Sequence, residues 1–313
     1  MKHLLELSKG NLDIAEFEAV ETLKPKTWYR ECNLLIMDGV EKHIFERLAY
    51  TKSAFDLLFC CDIYELEENI AKTDWNEEVK GPFMIRTVYL GRKMFDERYI
   101  ANKVWGDIKN PIVNLRTPET VLVFFFVNKV YCCRKIWENK EDFRNRRAHL
   151  RPGKHPVSLH PQLARAAVNM SGLSQGTICD PFCGTGGILI EAALMGYKIV
   201  GYDINQKMID KAEANLVYFG INDYTLAIAD AISLKGFYDA IVTDLPYCRN
   251  TTMKGTYASF LKNAYKCTER LVVMVPEGTT LVIDRWKKLA EFSYYIHKSL
   301  TKKIVVLRKP LSK

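Results

Sequence analysis

Four aspartates stand at the carboxyl ends of apolar runs in the second half of the chain. Asp180 follows Thr177-Ile-Cys179, Asp203 follows Lys198-Ile-Val-Gly-Tyr202, Asp230 follows Tyr224-Thr-Leu-Ala-Ile-Ala229, and Asp244 follows Ala240-Ile-Val-Thr243. The first opens the glycine-rich stretch Asp180, Pro181, Phe182, Cys183, Gly184, Thr185, Gly186, Gly187, which runs into the apolar Ile188-Leu-Ile190. Glycines at such a turn take backbone angles that other residues avoid, and they let a ligand approach the main chain beside a helix N-terminus. The spacing is not the dinucleotide fingerprint, because the three glycines crowd together behind Asp180. Asp244 opens Asp244-Leu-Pro-Tyr247. A carboxylate and the neighbouring Leu245 carbonyl can accept both hydrogens of an exocyclic amine on a nucleobase, whose lone pair is otherwise delocalised into the ring. Pro246 stiffens the loop so that the two acceptors converge. Tyr247 offers a ring on which a base turned out of its helix can stack. No covalent nucleophile is needed where alignment against an activated donor supplies much of the acceleration. The neighbouring Cys248 has no activating basic partner in view. Any one of these acids could be a helix cap or turn former, but Asp180, Asp203 and Asp230 at successive strand ends read as one ligand site.

Such residues need a scaffold that brings strand ends together. From Pro161 onward, strands alternate with helices: a helix from Pro161, strands at Lys198–Asp203, 224–230, 238–244 and 270–275, and helices at Lys207–Phe219 and 257–268. That alternation means a parallel sheet covered on both faces. A further helix is expected around Trp286 and Leu289, then two strands, 294–300 and 303–307, joined by a tight turn and therefore antiparallel.

The first half reads as mixed α+β. Short strands are expected at 4–7, 33–37 and 48–51, and the run 55–63 is either a strand or a buried helix. A strand at Phe83–Val88, a helix stopped by Gly106, a strand at 111–115 and a hairpin of 121–127 with 130–136 follow. His3 and His43 have no partner motif and read as bland surface or core residues. The stretch 138–154 is highly charged and carries Arg144, Arg146, Arg147, Arg151 and Lys154, ending in Pro and Gly. It is the best boundary, either a solvated hinge or a basic track for a nucleic-acid backbone.

The formal net charge of +8 over 313 residues favours a polyanionic partner. The nine cysteines include no C-x-x-C pair, so they read as reduced cytosolic thiols rather than zinc ligands, and no metal is expected. The apolar run Val121–Val127 is far too short to span a bilayer, and no signal peptide is evident. A cytoplasmic protein with no membrane partner is expected.

The stretch 180–187 resembles motif I of the class I S-adenosylmethionine-dependent methyltransferases, in the form found in amino-directed RNA methyltransferases. Asp244-Leu-Pro-Tyr247 resembles their motif IV, with Leu245 replacing a proline, which implies a looser loop. Phe83-Met-Ile-Arg86 and Val113-Asn-Leu-Arg-Thr-Pro-Glu119 are similar to the THUMP domain, an RNA-binding module. Together with the run from Arg151 to Arg165, these resemblances point to the THUMP-containing archaeal-type tRNA guanine N2-methyltransferases. The resemblance implies a Rossmann-like, seven-stranded class I methyltransferase domain at 155–313 with an antiparallel last hairpin. Ahead of it would lie a ferredoxin-like region at 1–50, a THUMP domain at 51–137 and the basic linker 138–154. It implies S-adenosylmethionine held by Ser158, Leu159, Asp180, Pro181, Phe182, Cys183, Gly184, Thr185, Gly186, Asp203, Ile204, Asp230 and Ala231. Asp203 would take the ribose hydroxyls, Asp230 the adenine amino group and Asp180 the methionine ammonium. Asp244, Leu245, Pro246 and Tyr247 would carry the transfer. Arg86, Arg92, Lys93, Arg98, Lys103 and Arg116, with Arg144, Arg146 and Arg147 of the linker, are the candidate RNA phosphate contacts. The implied substrate is tRNA rather than DNA, with methylation at guanosine 10 once or twice. Guanosine 6, an rRNA guanosine, an adenine amine and an RNA-binding module with an inactive fold are the alternatives. A monomer is expected, and a small activator subunit is left open.

Overall fold

The computed structural model describes residues 2–91, 97–155, 158–246 and 252–310, the side chains of 252–256 excepted. The elements of the first half are β1 Lys2–Leu7, α1 Leu12–Leu23, β2 Trp28–Glu31, β3 Leu34–Asp38, β4 Thr51–Cys61, α2 Leu66–Lys72, α3 Trp75–Glu78, β5 Phe83–Tyr89, α4 Glu97–Trp105, β6 Thr120–Phe126 and β7 Val130–Glu138. Those of the second are α5 Pro161–Met170, β8 Thr177–Asp180, α6 Gly187–Leu194, β9 Lys198–Asp203, α7 Gln206–Tyr218, β10 Thr225–Ile228, β11 Ala240–Asp244, α8 Thr252–Cys267, β12 Arg270–Pro276, β13 Lys287–His297 and β14 Leu300–Arg308. Two compact units result. One comprises Met1–Leu12, Leu23–Phe45 and Thr51–Asn139; the other comprises Asp13–Thr22, Glu46–Tyr50 and Lys140–Lys313. Among the described residues no helix is long and apolar enough to cross a membrane.

The first unit is built on one seven-stranded sheet, ordered β2-β3-β1-β4-β7-β6-β5, with β5 and β6 parallel and the other pairs antiparallel. Residues 1–50 and 51–137 therefore share a single hydrogen-bonded sheet through β1 and β4. The run 121–127 is continuously apolar because β6 is buried on both faces. Leu122, Phe124 and Phe126 join the core formed with Ile70, Trp75 and Ile100. Val123 and Phe125 join the one formed with Leu4, Ile36 and Phe55, as the period of two requires. The ambiguous run 55–63 is a strand as far as Cys61, where β4 ends, and Ile63 begins a short 3-10 turn capped by Asp62. The strand expected at 111–115 reduces to a single bridge, Val113 to Phe83. His3 is a core residue, 3.1 Å from the buried Asp56, which also pairs with Lys42 and Arg134.

The second unit carries a sheet ordered β10-β9-β8-β11-β12-β14-β13, in which only β14 runs against its neighbours. Leu271 to Val275 of β12 are fully buried, as expected of a strand at the centre of a covered parallel sheet. The expected helix around Trp286 and Leu289 does not form. A loop replaces it, and Trp286 packs its indole edge-on to Tyr265 at 5.1 Å between ring centres and donates to the Leu261 carbonyl on α8. One aromatic side chain thus fills the space, and Leu289 belongs to β13. Both of the last two strands accordingly begin earlier than expected, at Lys287 and Leu300, with the turn at Lys298–Ser299.

The strand expected at 48–51 is absent over 48–50, with only Thr51 in a strand as the start of β4, and the cause is a buried carboxylate. Glu18 of α1 is fully buried; it accepts the backbone N–H groups of Ala49 (2.7 Å) and Tyr50 (2.9 Å) and the amide of Asn169 on α5 (2.7 Å). Those N–H groups have no need of a neighbouring strand. Burial outweighs the three donated bonds and pushes the Glu18 carboxyl up to about 7 from 4.5. A carboxyl raised in the folded state binds more protons folded than unfolded between those values, so its stabilisation is complete below pH 4.5 and lost as pH rises through 7. We expect wild-type protein to lose ~2–3 kcal/mol of stability relative to Glu18→Gln between pH 4.5 and pH 8. Denaturant unfolding of both proteins across that range checks this; parallel pH profiles would refute it.

Candidate active site

The cavity of interest opens at the carboxyl edge of the second sheet, where open α/β sheets bind ligands. It measures about 650 Å³. β8 delivers Asp180 to its floor, and the chain then turns through 181–186 into α6. Gly186, at φ +79°, sits at the N-terminal boundary of that helix in the left-handed region and 3.4 Å from Ala212 by its would-be Cβ; a side chain there would be strained. The Gly184 N–H donates to Asp203 Oδ2 at 3.0 Å, and Asn205 N–H donates to Asp203 Oδ1 at 2.9 Å. Asp203, at the end of β9, is thereby fixed with further lone pairs to spare. Asp180 accepts from Thr243 Oγ1 at 2.7 Å and from Phe182 N at 3.2 Å. Burial, reinforced by the nearby Asp244 and Asp203 charges, pushes its carboxyl up to about 7. Asp230 caps the short turn after β10, accepting from Ile232 N at 3.1 Å. Ser158 Oγ and Thr185 Oγ1 lie 3.0 Å apart, tying the stretch before α5 to the glycine turn.

Asp244 ends β11 on the same edge. Its Oδ2 accepts from the Lys302 ammonium, while Oδ1 is buried with no hydrogen-bond partner among the described residues. Leu245 departs from the expected looser loop. Its N–H donates to the Met274 carbonyl of β12 at 2.9 Å and its side chain is buried in the core. A proline could not make that bond, so leucine extends the sheet by one residue and firms the loop. The Pro246 carbonyl accepts from the Tyr257 hydroxyl at 2.6 Å, which holds the loop to α8.

Of the residues expected to line a site, Ser158, Leu159, Asp180, Pro181, Phe182, Cys183, Gly184, Thr185, Asp203, Ile204, Asp230, Ala231, Asp244, Leu245 and Pro246 all border this cavity. Gly186 does not; it turns the chain. Tyr247 and Cys248 lie outside the described residues, as do Arg92 and Lys93. His155, Gly187, Ile188, Met208, Ala229 and Ile232 also border the cavity and were not anticipated. Met208 could have been found as the apolar residue in the first turn of the helix after Asp203. Ile204 and Ile232, each just past an acidic strand end, are 75% and 42% exposed, which makes them apolar rim positions.

The basic candidates divide. Arg144 and Arg147 are exposed on the second unit, with Arg147 Nε directed at His160 Nε2 (3.3 Å). On the first unit, Arg98 and Arg116 are exposed, and Arg86 and Lys103 pair with Glu97 (3.4 Å) and Glu67 (3.0 Å). Such exposed pairs are weak and exchange readily. Arg146 is a correction: it is committed internally, donating to the fully buried Glu191 and to Glu141 with only 12% of its side chain exposed. The stretch 140–151 is accordingly no solvated hinge. Phe143 and Arg151 within it are buried as well. The physical reason is Glu191 on α6, a buried anion that needs cations from the preceding chain.

A second cavity of about 720 Å³ adjoins the first, sharing His155, Ser158 and Leu159, and is lined by Arg147, His160, Tyr294, Tyr295 and Lys302 among others.

A family model described as RMKL-like, methyltransferase domain, matches residues 148–292. The chain is 31% identical over 318 residues to the tRNA (guanine(10)-N2)-dimethyltransferase of Pyrococcus abyssi, covering 94% of both chains. It is 32% identical over 287 residues to the protein of that name from Methanothermobacter thermautotrophicus, covering 86% of this chain and 85% of that one. Among solved structures, TrmN from Thermus thermophilus aligns with a TM-score of 0.55 at 17% identity, covering 99% of this chain and 100% of the other. A possible methylase from Clostridium difficile 630 aligns with a TM-score of 0.52 at 16% identity, covering 100% and 99%. These two likenesses establish a Rossmann-like methyltransferase fold.

Proposed function

We propose, since the chain belongs to the family of tRNA (guanine(10)-N2)-dimethyltransferases, that it methylates the exocyclic N2 amine of guanosine 10 in tRNA, once and then a second time. The observation that carries the reading at the site is the buried Oδ1 of Asp244, without a hydrogen-bond partner among the described residues, at the rim of a cavity also bordered by Asp180, Asp203 and Asp230. Desolvating such an oxygen is costly unless a ligand donates to it.

The cavity fits S-adenosylmethionine in size and donor set, its volume being ordinary for a cofactor site. Asp203 would accept from the ribose hydroxyls and Asp230 from the adenine amine. Ile204 and Ile232 would flank the purine, and Asp180 would face the ammonium. When bound, the cofactor supplies an activated methyl group on a sulfonium. The chain's own residues then have one task, to localise the amine lone pair. Asp244 Oδ1 accepts one N–H. The Leu245 carbonyl accepts the other, because the Pro246 carbonyl is already engaged by Tyr257. Fixed acceptors of this kind need no reorganisation during the reaction.

We assign the first unit, which takes in the THUMP-like stretch 51–137 and most of the ferredoxin-like stretch 1–50, to holding tRNA. Arg86, Lys103, Arg144 and Arg147 serve as phosphate contacts, and the protein acts as a cytoplasmic monomer. The test is methyl transfer from labelled S-adenosylmethionine to unmodified tRNA transcript by the chain alone, followed by nucleoside analysis and mapping. N2-methylguanosine, then N2,N2-dimethylguanosine, is expected at position 10, and a transcript with adenosine there should take no label. Label at another guanosine, or N6-methyladenosine, would overturn the assignment of target.

A further inference from the structure

We propose that Lys302 is a positioning residue for the transfer: its ammonium holds Asp244 ionised and oriented so that Oδ1 faces the substrate amine. This rests on the assignment of Asp244 as the amine acceptor.

Lys302 is 2% exposed and lies near the start of β14, opposite Pro276 of β12 and Tyr294 of β13. Strands β8 to β12 run parallel, so their carboxyl ends share one edge. β14 runs the other way, so its first residues, not its last, arrive at that edge. From there Lys302 reaches across β12 to Asp244 at the end of β11. It shares its face of the strand with the buried Ile304 and Val306, positions where a cation is expensive unless paired. A pair serving stability alone should satisfy both carboxylate oxygens. This one satisfies Oδ2 and, among the described residues, leaves Oδ1 without a hydrogen-bond partner. The pair also stands between the two cavities, with Asp244 bordering the first and Lys302 the second.

The charge is needed because of what else surrounds Asp244. Burial pushes its carboxyl upward, and Lys302 is the cation that opposes this. Asp180 at the end of β8 is close enough for the two charges to be felt, and Asp203 at the end of β9 adds negative charge to the same floor. His155 borders both cavities. Without the ammonium, the carboxyl would keep a proton to higher pH. A protonated carboxyl presents a donor where the amine needs an acceptor.

The test compares wild type with Lys302→Met, Lys302→Gln and Lys302→Arg in two readouts. In the methyl-transfer assay, removing the charge should move the acidic limb of kcat/KM upward by about 1–3 pH units, while Lys302→Arg leaves the limb near its wild-type place. Affinity for S-adenosylmethionine, measured by calorimetry, should stay within about threefold, because Lys302 does not border that cavity. Lys302→Gln retains a donor without a charge and covers the case in which Lys302→Met fails to fold. The second readout needs no turnover: infrared difference spectra against Asp244→Asn follow the protonated carboxyl band, which should persist to higher pH in the uncharged variants. An unmoved limb or band in Lys302→Gln overturns the proposal. If wild type makes no N2-methylguanosine, the functional reading fails by itself, and the infrared titration still decides the role of Lys302.

Discussion

Asp244→Ala lowers kcat for methyl transfer by about 10²–10³-fold, the loss typical when a preorganised hydrogen-bonding group at the reacting centre is removed. The affinity for S-adenosylmethionine changes little, because Asp180, Asp203 and Asp230 remain. The cause is specific. The substitution deletes Oδ1, the buried oxygen with no partner among the described residues, and so leaves one amine hydrogen without an acceptor. It also removes the carboxylate paired with the buried Lys302, so the thermal midpoint should be measured beside the kinetics. Asp244→Asn is the sharper variant. It retains one acceptor oxygen, but its amide must turn a donor either towards the Lys302 ammonium or towards the substrate amine. It should recover the fold while staying tens-fold or more below wild type in kcat. Single-turnover transfer at saturating cofactor gives the number, and a variant within threefold of wild type would remove Asp244 from the reaction.

Glu191→Ala should be strongly destabilising to the second unit. Glu191 lies fully buried on α6, accepting from Arg146 Nε at 2.7 Å and Arg165 Nε at 3.0 Å. Glu141 closes the cluster, at 2.8 Å from Arg146 and 3.0 Å from Arg165. Both guanidinium groups also sit over the Phe143 ring, at 5.0 and 5.3 Å. Arg151 lies in the same cluster, 1% exposed, with its Nε bonded to the Arg146 carbonyl. Removing the buried anion leaves the Arg146 and Arg165 guanidinium groups with Glu141 at the rim and takes the nearby negative charge from Arg151. Breaking such a cluster costs about 3–5 kcal/mol, which lowers Tm by roughly 10 °C for a unit of this size. Glu141 is about one-third exposed, so Glu141→Ala should cost under about 2 kcal/mol by comparison. Calorimetric melting of the two variants makes the test, and equal losses would show that burial of Glu191 is not what matters. Because α6 follows directly on the glycine turn, weaker cofactor binding should accompany the loss in Glu191→Ala.

Much of the site was legible because its signals are local. A glycine turn between a strand and a helix, and an acid at the end of each apolar run, are properties of short stretches. Parallel strands place all their carboxyl ends on one edge, so finding the run ends was sufficient to find the residues that meet there. That reasoning recovered Asp180, Asp203, Asp230 and Asp244 together with their neighbours. The alternation of strands and helices likewise indicated the parallel sheet, and the missing helix between the last two strands indicated the antiparallel reversal.

What local patterns cannot carry is the identity of a distant partner. Arg146 reads in sequence like any arginine of a charged stretch. Only the fold brings it against Glu191, forty-five residues away, and turns an expected phosphate contact into part of a buried cluster. Ala49 and Tyr50 look like strand residues until a carboxylate from α1 takes their N–H groups. Trp286 sits in a run that suits a helix until α8 offers a surface for its indole. Leu245 looks like a weakened motif position until the Met274 carbonyl accepts its N–H.

The sequence by itself therefore determined the class of sheet, the edge on which the cavity opens and the acids that border it, because each depends on strand direction and short-range spacing. Only the tertiary structure decided which charges are spent inside the protein and which border the cavity. Lys302 is the clearest case. In sequence it is one of two adjacent lysines on a terminal strand. Its burial and its hold on Asp244 arise because the antiparallel course of β14 brings its first residues to the edge where the parallel strands end.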